Sequence, residues 1–180
     1  MKTLPLIIAP DPLLRKVSKI VDKIDDELRE LMKDMVSTMY AESGVGLAAV
    51  QVGVLKRILV IDVDYKIEDH EGYEHCGHVH VISSNPRYFV NPEIIWSSEE
   101  CVPYNEGCLS FPGARSEVIR PNKVKVKYLD FMGLEKTETM SGLLATCIQH
   151  EIDHLNGITF VDRISKIKRE MILKKIRKKR

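Results

Sequence analysis

The chain has 180 residues, 44% hydrophobic and 29% charged, with a formal net charge of +1. That length suits one compact domain, residues 1–180, able to bury a core without disulfides or a structural metal. No apolar run approaches the ~20 residues of a membrane span. Residues 1–10 lack the apolar length and small-residue cleavage site of a signal peptide, so a cytoplasmic location is expected. Cys76, Cys101, Cys108 and Cys147 show no disulfide-framework spacing; reduced, they serve as core fillers, metal ligands or reactive thiols. The small net charge hides an asymmetry. Residues 163–180 carry ten Lys/Arg and one acid, Glu170, whereas the rest carries 17 basic and 25 acidic residues. A basic tail on an acidic body points to an anionic partner for the tail.

In chain order, residues 25–42 read as an amphipathic helix: Leu28, Leu31, Met32, Met35, Val36 and Met39 follow the 3.6-residue period. Asp25, Asp26 and Glu27 suit its N-terminus, and Gly44 and Gly46 end it. Residues 57–63 (RILVIDV) read as a strand, residues 64–88 as a polar loop or insertion, and residues 88–96 as renewed sheet. Residues 123–129 (KVKVKYL) alternate as a half-buried strand with lysines outward. Residues 142–156 form a second helix, ended near Gly157. Residues 162–178 form a third, basic helix with Ile164, Ile167, Met171, Ile172 and Ile176 on one side. Strands separate the helices without βαβ alternation, so the predicted class is α+β: mixed or antiparallel sheets around a central helix, flanked by an N-terminal and a basic C-terminal helix.

That central helix carries His150-Glu151-Ile152-Asp153-His154, an H-E-x-x-H pattern. Positions i and i+4 share a helix face, so both imidazoles can bind one metal, and Glu151 can serve a water there as general base. A catalytic site needs a third ligand and an open position. Downstream residues supply none: Phe160 stands where a third histidine would fall, and Glu170 lies deep in the basic tail. Cys108, in Glu106-Gly107-Cys108-Leu109-Ser110, is the best upstream candidate, since Gly107 lets the backbone approach closely. Cys101 lacks that glycine. Cys147 shares the helix with His150 and is expected to line a wall. A rival cluster, His75-Cys76-Gly77-His78-Val79-His80, could bind metal by itself but sits in polar surroundings without a base.

Three segments together resemble the peptide deformylase family: Gly44-Val45-Gly46-Leu47-Ala48-Ala49-Val50-Gln51, then Glu106-Gly107-Cys108-Leu109-Ser110, then Gln149-His150-Glu151-Ile152-Asp153-His154. Their order and separations agree with the bacterial type that has a C-terminal helix; the departure is the long stretch 65–88. The resemblance implies hydrolysis of the N-formyl group of formyl-methionyl nascent chains, releasing formate. It implies one divalent metal per chain on Cys108, His150 and His154: Fe2+ in the cell, with Zn2+, Ni2+ or Co2+ able to substitute. Glu151 is then the base, and the Gln51 amide and Leu109 N–H meet the developing oxyanion. Val45, Gly46, Glu106, Gly107, Leu143, Thr146 and Cys147 form the expected substrate-binding set. The enzyme is expected to act as a monomer, without membrane contact, its basic tail docking on ribosomal RNA. Two rivals share some of these features: an H-E-x-x-H zinc endopeptidase, and a non-enzymatic ribosome-associated protein with a closed structural zinc site.

Overall fold

The computed structural model describes residues 2–67 and 81–178. The first helix, α1 (Asp26–Ala41), starts where Asp25 accepts the Leu28 N–H at 3.0 Å, with Asp26 and Glu27 in the first turn. Its stripe buries Leu28, Met32, Met35, Val36 and Met39, while Leu31 stays half-buried. Strands β1 (Gly46–Ala48), β2 (Ile58–Ile61), β5 (Arg87–Ser97), β8 (Lys123–Leu129) and β9 (Glu135–Ser141) pair antiparallel in the order β1-β2-β5-β8-β9. Helix α2 (Gly142–Leu155) follows β9 directly.

At β2 the sheet is covered on both faces, whereas β8 and β9 leave one face largely open to solvent. Leu59 and Ile61 of β2 pack toward α2 with Phe89, Val124, Val126 and Ile148. Ile58 and Val60 point the other way, onto the methionines of α1. A strand covered on both sides reads as a continuous apolar run, which is why ILVI lacks alternation. Strand β8 alternates as expected, with Val124, Val126 and Tyr128 buried and Lys123, Lys125 and Lys127 exposed.

Several expectations need correction. Every named strand pair is antiparallel, not mixed; among the described residues the one parallel contact is the isolated bridge Lys19–Lys56. The stretch 64–88 is not all loop. It contains the paired strands β3 (Lys66–Ile67) and β4 (Val81–Ser83), and β5 begins within it. Asp62 fixes its base, accepting from the Tyr40 hydroxyl at 2.6 Å and from the N–H groups of Asn85 and Asp64 at 2.7 and 3.1 Å. The His75–His80 cluster lies outside the described residues.

A two-stranded sheet, β6 (Cys101–Gly107) with β7 (Arg115–Pro121), escapes the sequence reading. Its inward positions are Glu106, Ser116, Val118 and Arg120, so polar residues occupy places where hydrophobic alternation is sought. Beneath it, Phe111, Val118, Phe160, Val161 and Ile176 form a third cluster. Helix α3 spans Lys166–Arg177, and residue 162 belongs to a preceding 3-10 turn, Phe160–Asp162. Ile172, Leu173 and Ile176 face this cluster with Ile164. Ile167 and Met171 are exposed instead, because at about 100° per residue they lie roughly 140–180° from Ile176.

Candidate active site

Helix α2 is buried without interruption from Ala145 to Leu155, charged residues included. Its His150 and His154 lie one turn apart, with ring centroids 5.0 Å from each other. Cys108 follows β6 in a turn closed by the Phe111 N–H on its carbonyl, and its Sγ sits 3.2 Å from Nε2 of His154. One donor atom each from Cys108, His150 and His154 falls within 4.8 Å of the others, forming the one such group of three among the described residues.

The surroundings orient this group. Nδ1 of His150 lies 2.8 Å from Oε2 of Glu106, which turns Nε2 toward the cluster. Glu106 is in turn gripped by Arg120, through Nε at 2.5 Å and Nη2 at 3.0 Å. Both Glu106 oxygens are therefore committed. It also reaches the cavity wall, where the sequence predicts a substrate contact. Burial pushes its pKa up, yet His150 and Arg120 outweigh that and hold the carboxyl down at about 2. Burial opposes charge on His150 too, but the Cys108 sulfur and Glu106 overcome it and raise its pKa well above 6.5. His154, with the charged neighbours His150 and Arg120, is driven well below by burial. One sulfur and two imidazole nitrogens in a single group suit a divalent transition metal.

Three buried polar atoms lack a hydrogen-bond partner among the described residues: Ser18 Oγ, His154 Nδ1 and Glu151 Oε2, of which only Glu151 belongs to the cavity lining. Burial raises its pKa to about 7, His150 opposing and Glu106 adding to the shift. A carboxyl held near neutrality at a cavity wall is suited to accept and return a proton.

Gln51 closes another side. Its Oε1 accepts the Ala48 N–H at 2.8 Å, which fixes the amide orientation. The NH2 therefore points to Ser110 Oγ at 3.2 Å and Cys108 Sγ at 3.5 Å. The cavity, about 610 Å3, is lined by Val45, Gly46, Gln51, Gly107, Leu109, Leu143, Thr146 and Cys147 beside Cys108, His150 and Glu151. His154 stands behind it, fully buried. Cys147 is a wall residue as expected, its thiol pushed up by burial and its Sγ 3.7 Å from the Val45 carbonyl. The tight approach belongs to Gly46, not Gly107. A Cβ on Gly46 would meet Glu151 Oε1 at 2.6 Å and Cys147 Sγ at 2.7 Å, whereas one on Gly107 would find Arg115 in ordinary contact at 3.4 Å.

The sequence reading assigned no role to Arg120, Asp153 or Arg163. Among the described residues Arg120 is the largest fully buried side chain, and it donates through Nη1 to Asp153 at 2.8 Å. Arg163 clasps the same carboxylate with two bonds of 2.5 Å. An arginine at an inward position of β7 was the available signal, but only once β7 was known.

Comparisons place this geometry in a family. The family model described as polypeptide deformylase matches residues 3–170. A peptide deformylase of Phenylobacterium zucineum is 48% identical over 173 residues, covering 96% of this chain and 94% of the relative. One from Rhizorhabdus wittichii is 50% identical over 175 residues, covering 97% and 94%. Among solved structures, the peptide deformylase of Ehrlichia chaffeensis superposes with a TM-score of 0.87 at 44% identity, covering 99% of this chain and 97% of that one. A second structure of the Ehrlichia protein, in complex with actinonin, gives 0.87 at 45% identity, covering 99% and 98%. With its three motifs converging on one cavity, the chain belongs to the polypeptide deformylase family.

Proposed function

We propose that this enzyme removes the formyl group from the N-terminal methionine of newly made polypeptides, releasing formate. One observation carries the reading: a Cys-His-His donor group and an unpartnered buried glutamate share the wall of a single cavity. Cys108, His150 and His154 would hold one divalent ion, which when bound supplies Lewis acidity toward water and the formyl carbonyl. Glu151 takes a proton from the attacking water as oxygen bonds to the formyl carbon. The Gln51 NH2, locked by Ala48, donates to the oxygen that gains charge, joined by the Leu109 N–H. As the C–N bond breaks, Glu151 returns the proton to the leaving amine. The methionine side chain enters between Val45, Leu143, Thr146 and Cys147, and backbone groups near Gly46 pair with an extended peptide.

The endopeptidase reading is not favoured, since the third donor is Cys108 and the relatives are deformylases. A closed structural site would require a fourth side chain, and the donor group of the described residues has three. The discriminating assay supplies formylated and unformylated Met-peptides under oxygen-free conditions. Formate release from the first alone supports the reading, and internal cleavage of the second contradicts it. Ferrous iron as the resident ion rests on the family resemblance; metal analysis of protein purified without oxygen should find close to one iron per chain.

The cytoplasm is where such substrates arise, and no described helix is long and apolar enough to cross a membrane. The basic face of α3 is suited to ribosomal RNA, and the chain is read as acting as a monomer. Because truncation after Ser165 would also strip Ile172, Leu173 and Ile176 from the core, the test reverses charge on the exposed face: Lys168→Glu, Lys175→Glu and Lys178→Glu together should weaken co-sedimentation with ribosomes and spare activity on short peptides; unchanged co-sedimentation removes that partner.

A further inference from the structure

We propose that Arg163 is a positioning residue for the metal centre, coupling the turn that leads into α3 to the orientation of His150. The contacts form a closed ring. His150 Nδ1 meets Glu106, Glu106 is held by Nε and Nη2 of Arg120, and Nη1 of Arg120 meets Asp153. Asp153 stands three residues after His150 on α2, so the helix itself closes the circuit. Arg163 enters from outside this ring, donating Nε to Oδ2 and Nη2 to Oδ1 of Asp153, both at 2.5 Å.

Charge and geometry both give it weight. Glu106 and Asp153 carry two negative charges, and Arg120 supplies one positive charge in the same interior. Arg163 supplies the second, and without it a buried carboxylate is left short of a partner. The planar Arg120 guanidinium serves both acids, so its plane is set by where each is held. With Arg163 gone, Asp153 keeps only Nη1, Arg120 is free to turn toward it, and the grip on Glu106 slackens. Glu106 is what aims His150. The Arg163 side chain is itself 41% exposed, so its removal opens no core cavity.

The inference rests on reading Cys108, His150 and His154 as a metal centre, but not on the formylated substrate. Its test is therefore metal retention without turnover. Cobalt-loaded full-length protein is challenged with EDTA and the loss of the cobalt spectrum is timed. Direct partners of metal ligands change affinity 10–100-fold, and Arg163 acts at greater remove, so Arg163→Met should release cobalt roughly 3–10-fold faster. Arg163→Lys, one donor in place of a fork, should fall between. Arg15→Met is the control: Arg15 pairs with Asp162 in the adjoining turn without touching Asp153, so its release rate should match the parent's. An unchanged rate in Arg163→Met overturns the proposal, as does equal acceleration in Arg15→Met, which would mean general loosening of the turn. If Arg163→Met does not fold, Arg163→Gln is read by the same criterion. A parent protein that binds no cobalt at one per chain would overturn the metal centre itself.

Discussion

Helices α2 and α3 are of similar length, 14 and 12 residues, yet α2 buries eleven successive residues and α3 buries Ile176 alone. Each ionisable group on α2 must therefore find a partner or acquire a task. His150 is held by Glu106, and Asp153 by Arg120 and Arg163. Glu151 keeps an oxygen free. On α3 the charges stand mostly in water, where single ion pairs contribute about 0–1 kcal/mol. The same residue types are thus locked into specific contacts on one helix and left to solvent on the other, and burial decides which.

The sharpest way to break this contrast is at Glu151. Glu151→Gln should keep its metal and lose about 10²–10⁴-fold in kcat/KM, the usual contribution of a general base. The parent should also lose activity tenfold per pH unit on an acid limb that Glu151→Gln lacks. Burial raises the Glu151 pKa to about 7, and a bound cation pulls it back, so the limb should fall between the ordinary 4.5 and 7. A variant retaining full activity would remove the base.

Next in size is Gly46→Ala. The new methyl must displace the Glu151 carboxylate or the Cys147 sulfur, and misplacement of about 1 Å costs on the order of 10² in rate. The expected result is a large fall in kcat with metal content intact; unchanged kcat would mean Glu151 has room to spare. The smallest effect is expected on α3. Lys168→Ala should shift stability by no more than about 0.5 kcal/mol in urea melts and leave peptide turnover unchanged. A loss of several kcal/mol would erase the distinction between the helices.

Legibility in the sequence follows the same division. Helix α1, β8 and the shared face of His150 and His154 were readable because period and spacing express which side is buried; Cys108 was named instead from its neighbouring glycine and the family motif, and its donor atom lies within 4.8 Å of theirs. The sheet β6–β7 was not, because its inward residues Glu106, Ser116 and Arg120 give no apolar alternation. Asp153 stood inside a recognised motif with no partner in view, since Arg120 and Arg163 reach it from 33 and 10 residues away. Ile167 and Met171 were placed on the packed side of α3 because a count of isoleucines does not fix the phase of a short helix. Glu106 stands beside Cys108 in the sequence, whereas its contacts with His150 and Arg120 emerge only in the fold.

Joint capture of one ion by Cys108, His150 and His154 can be read from X-ray absorption at the zinc edge of zinc-substituted protein. The expected shell is one sulfur at ~2.3 Å and two imidazole nitrogens at ~2.0–2.1 Å, with a light, exchangeable fourth neighbour. A shell without sulfur, or one closed by a fourth protein side chain, would contradict it.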